Sequence, residues 1–309
     1  MKVLVSGGTG FVGRYIVEEL LAEGYAVAVG GRHQPEPGLF SRPVAFVPLR
    51  LDPGEDQSHV FDDAYFFVHA GFSHVPGRYR GGEGDDPESF QRLNLDGTVK
   101  LFETAQRAGI RRCVFLSSRA VYGDRSASEV LHEKTEANPN TLYGRVKLDA
   151  ERALSALNAP GFAVASLRLT GVYGDLRPNK WNDLFANYLA GKAVPSRAGT
   201  EVHGRDVGQA VRLMLETETA RIADEVFNVS DMLTETHEIL SIVQRVTGSP
   251  HPLPARAPDN IISAMDTAKI EALGWRGGGR TLLEETVKAL AQGLPYLSET
   301  TSTLLSHSR

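Results

Sequence analysis

One cysteine in 309 residues, Cys113, excludes an internal disulfide and any site built from several thiolates. Its apolar setting, Arg112-Cys113-Val114-Phe115-Leu116, predicts a buried strand position without a chemical role. A basic excess is also missing. The 33 Lys and Arg face 38 Asp and Glu, a net charge of -5, so the chain lacks the electrostatic footprint of a nucleic-acid binder. No apolar run is long enough to cross a bilayer, and Met1-Lys2-Val3-Leu4-Val5-Ser6-Gly7-Gly8 reaches its glycines too early for a signal peptide. A cytoplasmic protein with no membrane partner is expected. Histidines 69, 74 and 203 form no metal-ligand pattern, and no metal is expected. At 41% hydrophobic and 23% charged, the composition is that of an ordinary folded chain with one large domain or two smaller ones.

Short apolar runs of strand type alternate with helical patterns: strands at 2–6, 26–30, 44–49, 65–69 and 112–117, helices near 11–23, 88–108 and 141–157. Parallel strands need crossovers of a dozen or more residues, so this alternation predicts an α/β fold, a doubly wound parallel sheet with helices on both faces. After about residue 170 the alternation weakens, prolines accumulate, and short helices near 181–190, 234–247 and 281–292 dominate. The expected organisation is a dinucleotide-type domain over 1–175 and a smaller mixed α/β substrate domain over 176–309. Segment 203–230 returns to the main sheet through a helix and the strand Glu225-Val226-Phe227-Asn228-Val229. The glycine-rich stretch 71–87 is too long for a plain connector and predicts a mobile loop beside the site. The polar end from Ser298 predicts a frayed tail.

Gly7-Gly8-Thr9-Gly10-Phe11-Val12-Gly13 follows the first strand and opens the first helix. Absent side chains let backbone approach a pyrophosphate, and a helix N-terminus offers unpaired N–H groups with a partial positive charge. At the end of the second strand, Val27-Ala28-Val29-Gly30-Gly31-Arg32, no acidic residue is present to accept the ribose hydroxyls of NAD. Arg32 can pair instead with a 2′-phosphate, which favours NADP; the alternative is a solvated loop cation with NAD bound through its other contacts.

Tyr143-Gly144-Arg145-Val146-Lys147 places a phenol and an ammonium at i and i+4, on one face of a helix. A nearby cation lowers a phenol pKa from its usual value near 10 and eases proton abstraction. Upstream, Val114-Phe115-Leu116-Ser117-Ser118-Arg119-Ala120-Val121-Tyr122-Gly123 reads as a strand ending in paired hydroxyls, of which Ser117 is expected to be structural.

With these motifs in order, the chain resembles the extended short-chain dehydrogenase/reductases, in particular the NAD(P)-dependent epimerase/dehydratase family. The likeness continues through Val68-His69-Ala70-Gly71, Asn94-Leu95-Asp96-Gly97-Thr98, Leu167-Arg168-Leu169-Thr170-Gly171-Val172-Tyr173-Gly174, His203-Gly204-Arg205-Asp206-Val207, Phe227-Asn228-Val229 and Leu273-Gly274-Trp275. The resemblance implies a Rossmann fold, a homodimer through the helices near 88–108 and 141–157, and a catalytic group of Ser118, Tyr143 and Lys147. It implies cofactor contacts at Gly7, Gly10, Phe11, Val12, Gly13, Arg32, Ala70, Gly71 and Asn94, besides Tyr143 and Lys147. A helix N-cap is the structural alternative for Asn94. Substrate contacts are implied at Ser118, Arg119 and Arg256.

Several departures bear on the reaction. The family's 4,6-dehydratases carry an Asp-Glu pair after the active-site hydroxyl, where this chain has Arg119 and Ala120, so a dehydratase is disfavoured. The arginine that grips a substrate diphosphate upstream of His203 is replaced by Gly199, and an asparagine after the Arg168 strand by Gly171. Arg256, with Asp259 three residues on, matches a second family arginine. Arg177, Arg197 or Lys180 can substitute for the missing one, although each reads first as a surface charge. Trp181 can stack on a base but reads first as core. The expectation is an NAD(P)-dependent epimerase or oxidoreductase acting on a sugar or nucleotide-sugar hydroxyl. The alternatives are an NADP-dependent reductase of a non-nucleotide carbonyl and a non-catalytic NADP-binding sensor.

Overall fold

The computed structural model describes residues 1–75, 82, 84–258 and 262–293. Residues 76–81 and 83 of the predicted mobile loop, Asp259 and the predicted tail lie outside the described residues. The first half runs β1 (Lys2–Ser6), α1 (Phe11–Ala22), β2 (Ala26–Gly31), β3 (Ala45–Pro48), β4 (Phe66–His69), α2 (Pro87–Gln91), α3 (Gly97–Arg107), β5 (Arg112–Ser118), α4 (Leu142–Ser155) and β6 (Ala163–Leu169). There follow β7 (Gly171–Tyr173), α5 (Asn182–Leu189), β8 (Ala198–His203), α6 (Gly204–Glu216), α7 (Thr219–Ile222), β9 (Glu225–Val229) and β10 (Met232–Glu235). The chain continues through α8 (Thr236–Thr247), α9 (Ala268–Glu271) and α10 (Gly279–Gln292).

Seven strands pair in the order β3-β2-β1-β4-β5-β6-β9, all parallel. Their side chains alternate between two cores. Val3, Val5, Val27, Val29, Phe66 and Val68 face α1 and α6, while Leu4, Ala28 and Phe67 face α3 and α4. Burial on both faces explains why the strands read as nearly continuous apolar runs. The strand order reverses between β1 and β4, and the crevice at their carboxyl ends is where open α/β sheets bind ligands.

A second, mixed sheet has the order β10-β8-β7, with β7 parallel and β10 antiparallel to β8. Beside it, α5, α8 and α10 build a separate core around Tyr173, Trp181, Phe185, Leu240 and Val287. Trp181 stacks on Tyr173 at 5.4 Å between ring centres, which makes it core. His203 ends β8 and caps α6, its Nδ1 accepting from the Arg205 N–H at 3.0 Å.

The helix expected at 88–108 is present as one unbroken helical run, with a π-helical turn over Arg92–Asp96 between α2 and α3. Asn94 is the local cause. Its Nδ2 donates to the Phe90 carbonyl four residues back at 3.0 Å, competing with the regular backbone bond and opening the turn. The N-cap alternative for Asn94 is therefore not what the fold uses. The homodimer implied through the helices near 88–108 and 141–157 has no exposed apolar stripe on α3 or α4 to mark it. Among the described residues the large exposed hydrophobics are Met1, Tyr65, Val75, Val130 and Leu233, none on those helices. Among the same residues no helix is long and apolar enough to cross a membrane.

Candidate active site

The loop from β1 to α1 shows what each glycine does. Gly7 has φ of +69° and passes so close to β4 that an added Cβ would stand 2.7 Å from the Gly71 Cα. A Cβ on Gly13 would sit 2.1 Å from the Gly7 carbonyl oxygen, so Gly13 is needed for helix–loop packing. Gly10 is different: its only close neighbour would be the Gly7 oxygen at 3.2 Å. Folding alone asks little of a glycine there. Gly10 caps α1 without a side-chain hydrogen bond, and the first turn carries no acidic residue, so its N–H groups stay available to an anion. These features fit the pyrophosphate of a dinucleotide.

From that loop a cleft of about 840 Å³ extends over the carboxyl ends of β4, β5 and β6 to the edge of β8. The three residues predicted to do chemistry, Ser118, Tyr143 and Lys147, all line it, as do Phe11, Val12, Ala70 and Arg119. Ser118 ends β5, where its Oγ accepts from the Ala120 N–H at 3.1 Å and keeps its own proton to donate. Tyr143 and Lys147 come from the first two turns of α4, which Thr141 caps by accepting from the Gly144 N–H at 3.1 Å. Gly144 allows this approach, because a Cβ there would stand 2.5 Å from the Ala120 carbonyl oxygen.

Lys147 is buried, and its Nζ donates to the Leu116 carbonyl at 2.7 Å. The same Nζ lies 4.4 Å from the ring centre of Phe72 and 4.7 Å from that of Phe115. Burial pulls the lysine down to a pKa of about 7, with the Glu151 carboxylate opposing the shift. Glu151 stands one helical turn beyond Lys147 and is itself buried. It accepts from the Ser117 hydroxyl and from Arg168, whose Nη2 lies 2.7 Å away. Ser117 thus has the structural part expected of it. The network joins α4 to β5 and β6 directly beneath Ser118 and Lys147.

His69 is buried at the end of β4, its Nδ1 sharing a hydrogen bond of 2.6 Å with Ser6 and its Nε2 one of 3.0 Å with Thr98. Desolvation pushes its pKa down to about 3, so it is neutral. Gly71 reaches the same Ser6 oxygen through its N–H at 3.3 Å. Asn94 holds Ser73 in two hydrogen bonds, 2.6 Å from its N–H and 2.7 Å to its carbonyl. Its amide therefore shapes the chain beyond β4 rather than pointing a spare polar group outward.

Other predicted residues are not drawn in. Arg256 lines a smaller, separate groove and pairs with Glu235 at 2.8 Å, because Glu235 also accepts from the Ala257 N–H and fixes that segment against β10. Arg177 donates to the Gly293 carbonyl at 3.0 Å, and Lys180 is paired with Glu201. Arg32 is exposed beyond β2 with no partner among the described residues. Sequence reasoning passed over Phe72, whose ring meets that of Tyr143 edge-on at 5.2 Å, and Glu151. Glu151 was signalled by its i+4 spacing from Lys147; Phe72 had no signal.

A sequence profile of the NAD dependent epimerase/dehydratase family matches residues 3–230. The chain belongs to this family. Among its relatives, the UDP-glucose 4-epimerase of Corynebacterium glutamicum is 27% identical over 306 residues, covering 89% of this chain and 90% of the relative. The solved Thermus thermophilus UDP-glucose 4-epimerase, in complex with NAD, is 27% identical with a TM-score of 0.77, covering 95% of this chain and all of that one. Not every relative is named for a sugar: the decarboxylating sterol-4-alpha-carboxylate 3-dehydrogenase of Mus musculus is 30% identical over 183 residues, 57% of this chain and 47% of the relative.

Proposed function

We propose that this protein is a nicotinamide-dinucleotide-dependent epimerase or oxidoreductase that acts on a hydroxyl of a sugar or nucleotide sugar. The observation that carries the reading is the meeting of Ser118, Tyr143 and Lys147 in one cleft with the uncapped N-terminus of α1. A bound nicotinamide supplies the hydride acceptor and donor. Tyr143 takes or returns the hydroxyl proton, Lys147 holds the cofactor ribose and favours the phenolate, and Ser118 donates to the substrate oxygen. Gly7, Gly10, Phe11, Val12, Gly13, Ala70 and Gly71 shape the cofactor channel.

NADP is the favoured cofactor in this reading, on the strength of exposed Arg32 and the lack of a carboxylate after β2, although the solved Thermus thermophilus relative carries NAD. The two-part organisation, 1–175 with 203–230 and the remainder from 176, is part of the same proposal. It is supported by β9 lying in the large sheet and by the separate core of α5, α8 and α10.

The test is cofactor typing of the freshly purified protein, followed by incubation with UDP-glucose. Retained dinucleotide and conversion to UDP-galactose without net NAD(P)H mark an epimerase. A second reading, an NADP-dependent reductase of a non-nucleotide carbonyl, is favoured by one observation: Arg256 is held by Glu235 away from the cleft, leaving a diphosphate without that contact. It predicts an empty protein stabilised selectively by NADP and no turnover of UDP-glucose. No dinucleotide binding at all removes both readings.

A further inference from the structure

The far wall of the cleft carries a carboxylate that the chemistry above does not use. Glu201 lies on β8 directly opposite Gly171 of β7, and both line the same cleft as Ser118 and Tyr143. The glycine makes room for it: a Cβ at residue 171 would stand 2.9 Å from Oε1 and 2.8 Å from Oε2 of Glu201. The Glu201 side chain is only 15% exposed, yet just one of its oxygens is satisfied. Lys180 pairs with Oε2, while Oε1 has no hydrogen-bond partner among the described residues. That oxygen belongs to a carboxylate on the cleft wall with no protein donor beside it, and it is open to a donor carried by a ligand.

Strand register gives its distance from the reacting atoms. Ser118 pairs with Leu169 across β5 and β6, and Gly171 follows two residues later. At about 3.3 Å per residue Gly171 lies roughly 7 Å beyond Leu169, and with a strand spacing of about 4.8 Å at either end Glu201 stands farther than that from Ser118, a gap that a sugar ring with its hydroxyls can span. The chemistry of Oε1 narrows the ligand further. A carboxylate oxygen accepts and repels a phosphate set against it, and Lys180 already answers its charge, which leaves no demand for a cation at Oε1. A hydroxyl is the group that fits.

We infer that Glu201, seated over Gly171 and pinned by Lys180, forms a subsite that receives a hydroxyl of the substrate's sugar-like part and thereby determines specificity. The inference rests on the proposed function and deepens it. The test compares UDP-glucose with UDP as ligands for the cofactor-loaded wild type and for the variants Glu201→Gln and Gly171→Ala. Gly171→Ala keeps the carboxylate but pushes it from its seat, and the clash falls on the end of a flexible side chain, so the fold tolerates it. Both variants are expected to raise KM for UDP-glucose roughly fivefold to tenfold, the effect of one lost hydrogen bond, with kcat changed less than twofold. UDP affinity and cofactor retention should match the wild type. Equal weakening toward UDP and UDP-glucose, or unchanged KM in both folded variants, overturns the subsite while leaving the proposed function intact. A wild type that neither binds nor converts UDP-glucose overturns the parent reading and the subsite with it.

Discussion

Lys147 and Leu116 are joined by a hydrogen bond of 2.7 Å from ammonium to carbonyl, and this bond locks the helix carrying Tyr143 to the strand that ends in Ser118. The contact is made in a desolvated place, which is why the lysine pKa falls from 10.5 to about 7. Between those values the unfolded chain holds a proton that the folded one has released. Stability therefore rises with pH across that window, and the full penalty of burying the charge is felt below pH 7. Replacing Lys147 by Met removes this linkage. Denaturant unfolding of the cofactor-free protein from pH 6 to 10 should show wild type gaining on Lys147→Met by roughly 1 kcal/mol per pH unit. A constant difference across the range contradicts a buried, half-neutral lysine.

Tyr143→Phe removes the proton-transfer group but keeps the ring that meets Phe72 at 5.2 Å. Packing should survive, so the thermal midpoint and dinucleotide affinity are expected to stay near wild type. Turnover should fall by about two to four orders of magnitude, the range typical of a lost general acid-base group. Residual activity above a tenth of wild type excludes Tyr143 from the proton-transfer role.

Beneath the site, Glu151 and Arg168 are 5% and 7% exposed at the side chain and paired at 2.7 Å. Glu151→Met leaves a buried guanidinium without its counter-charge, a change that costs about 3–5 kcal/mol in comparable settings. The double variant Glu151→Met with Arg168→Met should recover most of that loss, as an apolar pair replaces the ionic one. Urea midpoints of the two variants decide the matter. A double variant no better than the single one means that the hydrogen bonds to Ser117 and the Glu133 carbonyl, rather than the charge pair, dominate.

How far the sequence could be read followed from the range of the forces involved. The main strands were legible because each is buried on both faces and spells a run such as Val3-Leu4-Val5, and the Gly7 to Gly13 spacing marked their crevice. The small sheet was not. Its strands are as short as three residues and are interrupted by Gly171 and Gly199, so no two-residue alternation develops. The π turn at Arg92–Asp96 goes with the Asn94 bond to the Phe90 carbonyl, and the same amide holds Ser73, 21 residues away, a contact that no local periodicity encodes. Arg256 matched a family position, yet its direction is set by Glu235 from β10, a pairing visible only once the chain has folded.

Gly10, which caps α1, and Gly13, in its first turn, offer a sharper discrimination between fold and function than any catalytic residue. Gly13→Ala forces a methyl to 2.1 Å from the Gly7 carbonyl oxygen, a backbone atom that has nowhere to go, so β1 and α1 cannot pack as they do. That variant should be insoluble or strongly destabilised whether or not a dinucleotide is present. Gly10→Ala meets only one tight contact, at 3.2 Å, which a shift of a few tenths of an ångström relieves. It should fold with a melting temperature within a few degrees of wild type, yet bind dinucleotide at least about tenfold more weakly, because the new methyl stands where backbone must approach the pyrophosphate. Thermal shift with and without added NAD and NADP reads both quantities in one experiment. If Gly10→Ala keeps the full ligand-induced stabilisation, the dinucleotide does not lie against this loop, and the uncapped helix N-terminus has another purpose.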